Sequence, residues 1–256
     1  MIRDAISWVG SAIHIDTIPL DGIDPSDQDR FQRNGHHAVF ARLRREAPVH
    51  FCDSQRFGPF WSLTRYADIL GVDKDHRTFS SDLKRGGVTI KDDDFSDILE
   101  LGSSFITMDP PEHTERRAMV APAFARDRLK DLEQEIHQRV NSILDACPVG
   151  EAFDWVDTVA NELPIQVLAL LFGVPQQDRH LLLRWSNLFV GADDPDVVES
   201  RDAAKIELQG FVDYFLGLWK DRADREPCGD LVSLLAHGPQ SRNMSRADYL
   251  GTVVLL

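Results

Sequence analysis

Two basic side chains one helical turn apart, His113 and Arg117, are the pair in this sequence best spaced to act together on a ligand. Residues four apart on a helix share a face. The helix that must carry them opens with Asp109-Pro110-Pro111-Glu112. Asp109 suits the cap, and Pro110 the first helical position, where a missing N–H costs nothing. Glu112 suits the position that closes a capping box. Like charges at this spacing disfavour a helix by roughly 0.2–0.5 kcal/mol, and opposition to the macrodipole adds roughly 0.3–1 kcal/mol. A bound anion accepting charge-assisted hydrogen bonds, worth roughly 1.5–3 kcal/mol each, reverses that sign. The pair therefore reads as an anion site; the alternative is two ordinary solvated side chains. Glu112 and Arg116 stand at i,i+4 with opposite charge, so Arg116 has a local partner and Arg117 has none.

The chain of 256 residues is long enough for one large domain or two small ones. A net charge of −14 argues against nucleic acid or an anionic membrane as the main partner. A local basic patch for an acidic protein stays open. Cys52, Cys147 and Cys228 are far apart and share no metal-ligand spacing, so free thiols in a reducing cytoplasm are expected. The apolar patch from Ala5 to Ile15 is broken by Ser7, Gly10, Ser11 and His14. It is too short for a membrane span and lacks a signal-peptide pattern, so a cytoplasmic protein is expected. No G-x-S-x-G, H-E-x-x-H or G-x-G-x-x-G motif is present.

The elements around the pair follow from periodicity. Residues 1–35 read as an extended arm with at most one short helix. His36 to Glu46 is an amphipathic helix ended by Pro48, and Tyr66 to Asp75 is another. Between them, the period-2 runs around Phe57-Gly58-Pro59 form a hairpin over 48–65. Asp82 to Ser103, with Asp92-Asp93-Asp94, reads as a solvated loop. Asp127 to Cys147 carries Leu129, Leu132, Ile136, Val140, Ile143 and Leu144 as one stripe. Phe153 to Val156 reads as a short strand. Val159 to Phe172 is a buried helix that Pro164 must kink or restart. Two helices follow, Gln176 to Val190 and Val197 to Arg225, then a short one over Asp230 to Ala236. Ser245 caps a last helix, with Asp248 at the box position. The expected fold is mainly α with small β elements near 48–65 and 153–156.

The segment Ser104-Phe-Ile-Thr-Met-Asp-Pro-Pro-Glu-His-Thr-Glu-Arg-Arg117 resembles the start of helix C in cytochrome P-450 monooxygenases. Leu163-Pro-Ile-Gln-Val-Leu-Ala-Leu-Leu-Phe-Gly-Val-Pro175 is similar to a central helix of the bacterial enzymes and the turn after it. The order helix, hairpin, helix, Phe79-Ser80-Ser81 matches as well. The resemblance implies that His113 and Arg117 bind a propionate of haem b. It implies that Ile106 faces substrate near the haem, with Ile90 of a covering loop, Phe189 of a roof helix and Leu255 of the long helix as further substrate contacts. Gly58-Pro-Phe-Trp-Ser-Leu-Thr-Arg-Tyr66, Gly86-Gly-Val-Thr-Ile90, Phe153-Asp-Trp-Val-Asp157 and the stretch from Asn243-Met-Ser245 to Leu256 look closest to the bacterial alkane terminal-hydroxylase branch.

Haem-thiolate chemistry needs a cysteine thiolate on the iron. None of the three cysteines stands in the family's ligand pattern, Phe-x-x-Gly-x-x-x-Cys-x-Gly, and its Glu-x-x-Arg pair is absent. The chain stops inside an apolar helix. The expectation is one incomplete P-450 domain over 1–256, the N-terminal half of the fold, truncated in the long central helix. The metal ligand would lie beyond Leu256, and this chain alone would be inactive and aggregation-prone. A full-length version would hydroxylate an apolar substrate, a medium-chain alkane or fatty-acid terminus, using O₂ and electrons from a ferredoxin and its reductase. The alternative is a non-catalytic helical ligand-binding or interaction protein related to this family.

Overall fold

The helix written from His36 and the period-2 runs after Pro48 form where the pattern puts them. The computed structural model describes residues 15–90, 104–191 and 194–256. It divides into two compact units, Met1–Asp93 and Asp94–Leu256. In the first unit, among the described residues of the arm, one short helix, α1 (Gln28–Gln32), is preceded by 3₁₀ turns at Ile15–Thr17 and Leu20–Gly22. Helix α2 (His36–Glu46) turns Val39 and Leu43 onto Ile23. Arg42 is buried with them. Its guanidinium donates to the carbonyls of Ile15 and Ile18, and its Nε to Glu46 at 2.9 Å. A buried guanidinium is tolerable only with such partners, so Arg42 ties the arm to α2.

Strands β1 (Val49–Ser54) and β2 (Gly58–Leu63) pair antiparallel, Val49 opposite Leu63 and Ser54 opposite Gly58. Gly58 has φ +71°, a region costly to a residue with a Cβ, which lets β2 leave the turn. His50, Cys52 and Ser54 point inward, and His50 Nε2 lies 2.8 Å from the Ile23 carbonyl. Helix α3 (Tyr66–Lys74) completes the regular part of this unit. Most of the acidic loop, from 91 to 103 and including Asp92-Asp93-Asp94, lies outside the described residues.

The second unit holds α4 (Glu112–Val120), α5 (Arg126–Asp145), α6 (Glu162–Phe172), α7 (Arg179–Gly191), α8 (Arg201–Ala223), α9 (Leu231–His237) and α10 (Arg246–Leu255). Helix α8 runs through its core. Leu208, Phe211, Val212 and Phe215 are buried against Trp185 and Leu188 of α7, Phe172 of α6 and Leu235 of α9. The aromatic rings meet edge-on or tilted: Trp185–Phe211 at 5.6 Å, Phe211–Phe215 at 4.8 Å and Phe172–Phe215 at 5.7 Å. Arg184 of α7 grips Glu207 of α8 with both ends of its fork, at 2.6 Å each, and donates to the Val197 carbonyl at 2.8 Å. Gly173 ends α6 at φ +75°, and a Cβ there would collide with the Asp230 carboxylate. Arg222 spans the same corner, reaching the Gly173 carbonyl and Asp230 at 2.7 Å each.

Two expectations are corrected. Phe153 to Val156 is not a strand. Asp154 accepts from the backbone N–H groups of Val156 and Asp157 at 2.8 and 3.0 Å, and the chain winds into a π-helical turn, Val156–Ala160. A β-type run needs a neighbouring strand for its backbone groups, and the described residues supply only the pair β1–β2. The stripe of α5 is also less buried than its periodicity implies. Ile143 is buried, but Leu129 and Leu144 are 47% and 44% exposed. Pro164 sits in the first turn of α6, where its missing N–H has no intrahelical bond to lose, so the helix restarts there.

Leu208 is fully buried and Ile206, two residues earlier, is 76% exposed. In urea unfolding, Leu208→Ala is expected to cost about 2–5 kcal/mol, and Ile206→Ala to stay within about 0.5 kcal/mol of the parent. Similar losses at both positions would contradict this orientation of α8.

Candidate cofactor-binding face

Helix α4 opens differently from its sequence pattern. Its first residue is Glu112, Pro111 stands at the cap position, and no side chain caps it. Pro110 and Pro111 carry no N–H, so Asp109 has fewer donors to cap, and Glu112 falls at the first position rather than the box position. The His113 N–H instead donates to the Asp109 carbonyl at 3.0 Å. His113 and Arg117 both lie inside the helix, so the i,i+4 spacing survives and they share a face.

The charges around that face are redistributed. Arg116 pairs not with Glu112 but with Asp248 of α10, at 2.8 Å. Asp248 is held ready in the first turn of α10: its N–H donates to Ser245 Oγ at 3.1 Å, and Ser245 Oγ donates to its carboxylate at 2.8 Å. Nothing local in the sequence signals this partner, since Arg116 and Asp248 lie on different helices. Arg117 is exposed, and its side chain meets no hydrogen-bonding or ion-pairing partner among the described residues. The His113 ring is half-buried, 6.2 Å from the ring of Phe105. The result is a helix face with a cation open to solvent, an imidazole beside it, and the neighbouring arginine already neutralised. Chemically, that arrangement suits an external anion.

Ile106 lies in the 3₁₀ turn Phe105–Thr107, which packs against both α4 and α10. Its side chain is 48% exposed. Leu255 is half-buried near the end of α10, beside Val254, which is 36% exposed. The structure thus gathers His113, Arg117 and Ile106 with the helix that bears Leu255. Phe189 sits elsewhere in the packing: it meets Phe211 edge-on at 5.2 Å, on the aromatic core of α7 and α8. Ile90 belongs to the first unit, where it is 46% exposed. Two hollows of about 550 and 540 Å³ open elsewhere, one around Arg139, Gly173 and Arg222, the other around Asp24, Asp53 and Ser54. Neither is lined by a residue of the α4–α10 face.

The donor set bears on which cofactor fits. Burial, with the Asp24 carboxylate next in weight, pushes the Cys52 thiol up to about 11. Cys147 Sγ lies 3.3 Å from the Ile143 carbonyl, and Cys228 Sγ lies 3.2 Å from Asp230. None sits on the α4–α10 face. Among the described residues no cluster of three His, Cys, Asp or Glu side chains could hold a metal ion. The donors on the α4–α10 face therefore suit the anionic edge of a cofactor. At pH 8 a thiol pushed up this far is thiolate in about one molecule in a thousand, so exposed Cys228 should react with iodoacetamide more than about tenfold faster than Cys52. Comparable rates, read by peptide mass spectrometry, would contradict the inward orientation of β1.

No protein-family model matches the chain. Linalool 8-monooxygenase of Pseudomonas putida is 33% identical over 239 residues, which cover 91% of this chain and 58% of that protein. Steroid C26-monooxygenase of Rhodococcus jostii is 30% identical over 243 residues, 92% of this chain and 51% of that one. Among solved structures, cytochrome P450-153 from Novosphingobium aromaticivorans has 34% identity and a TM-score of 0.75, over 91% of this chain and 57% of that one. The chain spans about half the length of the curated relatives it matches. The Asp-Pro-Pro-Glu-His…Arg helix start, the mainly helical fold with one hairpin among the described residues, and these similarities agree: the chain belongs to the cytochrome P450 family of haem monooxygenases.

Proposed function

We propose that the whole protein is a haem-dependent monooxygenase that hydroxylates the end of an apolar chain, a medium-chain alkane or the terminus of a fatty acid. The observation that carries the haem assignment is the shared face of His113 and Arg117, with Arg117 open to solvent and Arg116 already paired to Asp248. A propionate at the edge of haem b is an anion of the right size to span one helical turn, accepting from both side chains. The chain-end assignment is supported by the relatives: carbon 8 of linalool and carbon 26 of a sterol are both chain-end carbons. Likeness to a cytochrome P450-153 supports the same branch.

When bound, haem supplies the activation of O₂: one oxygen atom enters a C–H bond and the other leaves as water, with two electrons and two protons consumed. The residues of this chain hold and orient. His113 and Arg117 bind the propionate. Ile106 and Leu255 flank the space where the reacting carbon sits, and their apolar side chains keep water from it. Phe189 and Ile90 are weaker substrate contacts. The iron ligand is a cysteine outside these 256 residues. Electrons come from a ferredoxin and its reductase. A cytoplasmic setting fits the free cysteines, and no described helix is long and apolar enough to cross a membrane.

The test is the complete protein with haem. A thiolate-type ferrous–CO spectrum and turnover of alkanes or fatty acids at the terminal carbon are expected; a protein without that spectrum would instead be a helical ligand-binding relative. Arg117→Ala should speed haem loss to apomyoglobin by about tenfold, the worth of one partly screened charge-assisted hydrogen bond, and Arg116→Ala by less. Equal haem loss from both, in samples matched for folding, would refute the propionate assignment. Ile106→Phe should move the site of hydroxylation along the chain with little change in stability. An unchanged product profile in a folded variant would remove Ile106 from the pocket.

A further inference from the structure

We infer that the Arg116–Asp248 ion pair is a strut that sets α4 against α10, making both residues positioning residues for the haem edge and the substrate. The inference rests on the reading of α4 as the propionate-binding helix. The two side chains are only 20% and 25% exposed, and meet at 2.8 Å. Asp248 is fixed from three sides. Ser245 Oγ donates to its carboxylate, its N–H donates to Ser245 Oγ, and Thr252 Oγ1 donates to its carbonyl at 2.8 Å. On α10, Asp248, Thr252 and Leu255 stand at i, i+4 and i+7, along one face. On α4, Arg116 lies three residues after His113 and directly before Arg117. The turn that carries Ile106 packs against both helices. The strut therefore lies among all four residues assigned to the α4–α10 face.

The pair also does electrostatic work. His113, Arg116 and Arg117 would otherwise place three basic groups within little more than one turn. Asp248 neutralises the middle one, so the propionate is directed to His113 and Arg117 and cannot be drawn to Arg116. The carboxylate is itself favoured where it sits, in the first turn of α10, by the helix dipole.

The experiment uses the complete haem protein with Arg116→Gln, Asp248→Asn, the double variant, and Ser200→Ala as a control. The control removes the cap of α8, where Ser200 Oγ accepts from the Ala203 N–H at 3.1 Å, and touches neither Arg116 nor Asp248. Haem transfer to apomyoglobin, product distribution and urea unfolding are measured on each. Either single variant should speed haem loss about two- to fivefold, as expected for a partly exposed ion pair. Either should shift the product distribution the same way, and the double variant should match the singles. Ser200→Ala should lower stability while haem loss stays at the parent rate. Additive effects overturn the strut, as do single variants that keep both the parent haem-loss rate and the parent products. In those cases an Arg117→Ala protein that still loses haem quickly leaves the propionate reading standing. If Arg117→Ala holds haem as the parent does, the propionate reading fails and the strut fails with it.

Discussion

The burial of α8 is the constraint on which the second unit depends. Fully burying one Phe or Leu side chain is worth about 1.5–3 kcal/mol, whereas a partly exposed ion pair is worth about 0.2–1 kcal/mol. Leu208, Phe211, Val212 and Phe215 lie along one side of α8, so packing decides where α7, α9 and α10 go before any charge is satisfied. The ion pairs then refine. Arg184–Glu207 locks α7 to α8, and Arg222 with Asp230 closes the corner at Gly173.

The candidate face is a consequence of the same packing. Tyr249 is buried from α10, its ring 4.5 Å from Trp219, and its hydroxyl donates to the Phe215 carbonyl at 3.1 Å. Burial, with the Asp230 carboxylate next in weight, pushes its phenol well above the ordinary tyrosine range, so this anchor stays a donor throughout the working pH range. With Tyr249 pinned to α8, its neighbour Asp248 is presented to α4, where Arg116 meets it. The cation left open on α4 is then Arg117. A core contact and an ion pair, in sequence, select which arginine can serve a ligand.

Among the described residues, partly buried arginines in this acidic chain are paired. Arg42 is spent on two carbonyls and Glu46. Arg179 meets Glu162 at 2.7 Å, Gln166 donates to the same carboxylate oxygen at 2.8 Å, and these contacts outweigh partial burial to keep Glu162 below the usual carboxylate range. Arg117 is exposed and outside these pairings, so its guanidinium is left to a ligand.

Local patterns were legible in the sequence alone. The period of His36 to Glu46, the hairpin about Gly58, the Ser245 cap and the His113–Arg117 spacing each depend on residues within a few positions of one another, so neighbours suffice to specify them. The resemblance carried by Asp109 to Arg117 and by Leu163 to Pro175 brought the family with it. Tertiary structure decided whatever needs a partner from far along the chain. Phe153 to Val156 has β-type residues but no strand to pair with among the described residues, so Asp154 winds it into a π-helical turn. Arg116 had Glu112 at helical spacing, yet Asp248 arrived with α10 and took it. Phe189 is a lone apolar side chain in the sequence, and only the packing of α7 on α8 brings Phe211 to meet it edge-on. Spacing along a helix determines which side chains share a face; the packing of one helix on another determines which of them remain free.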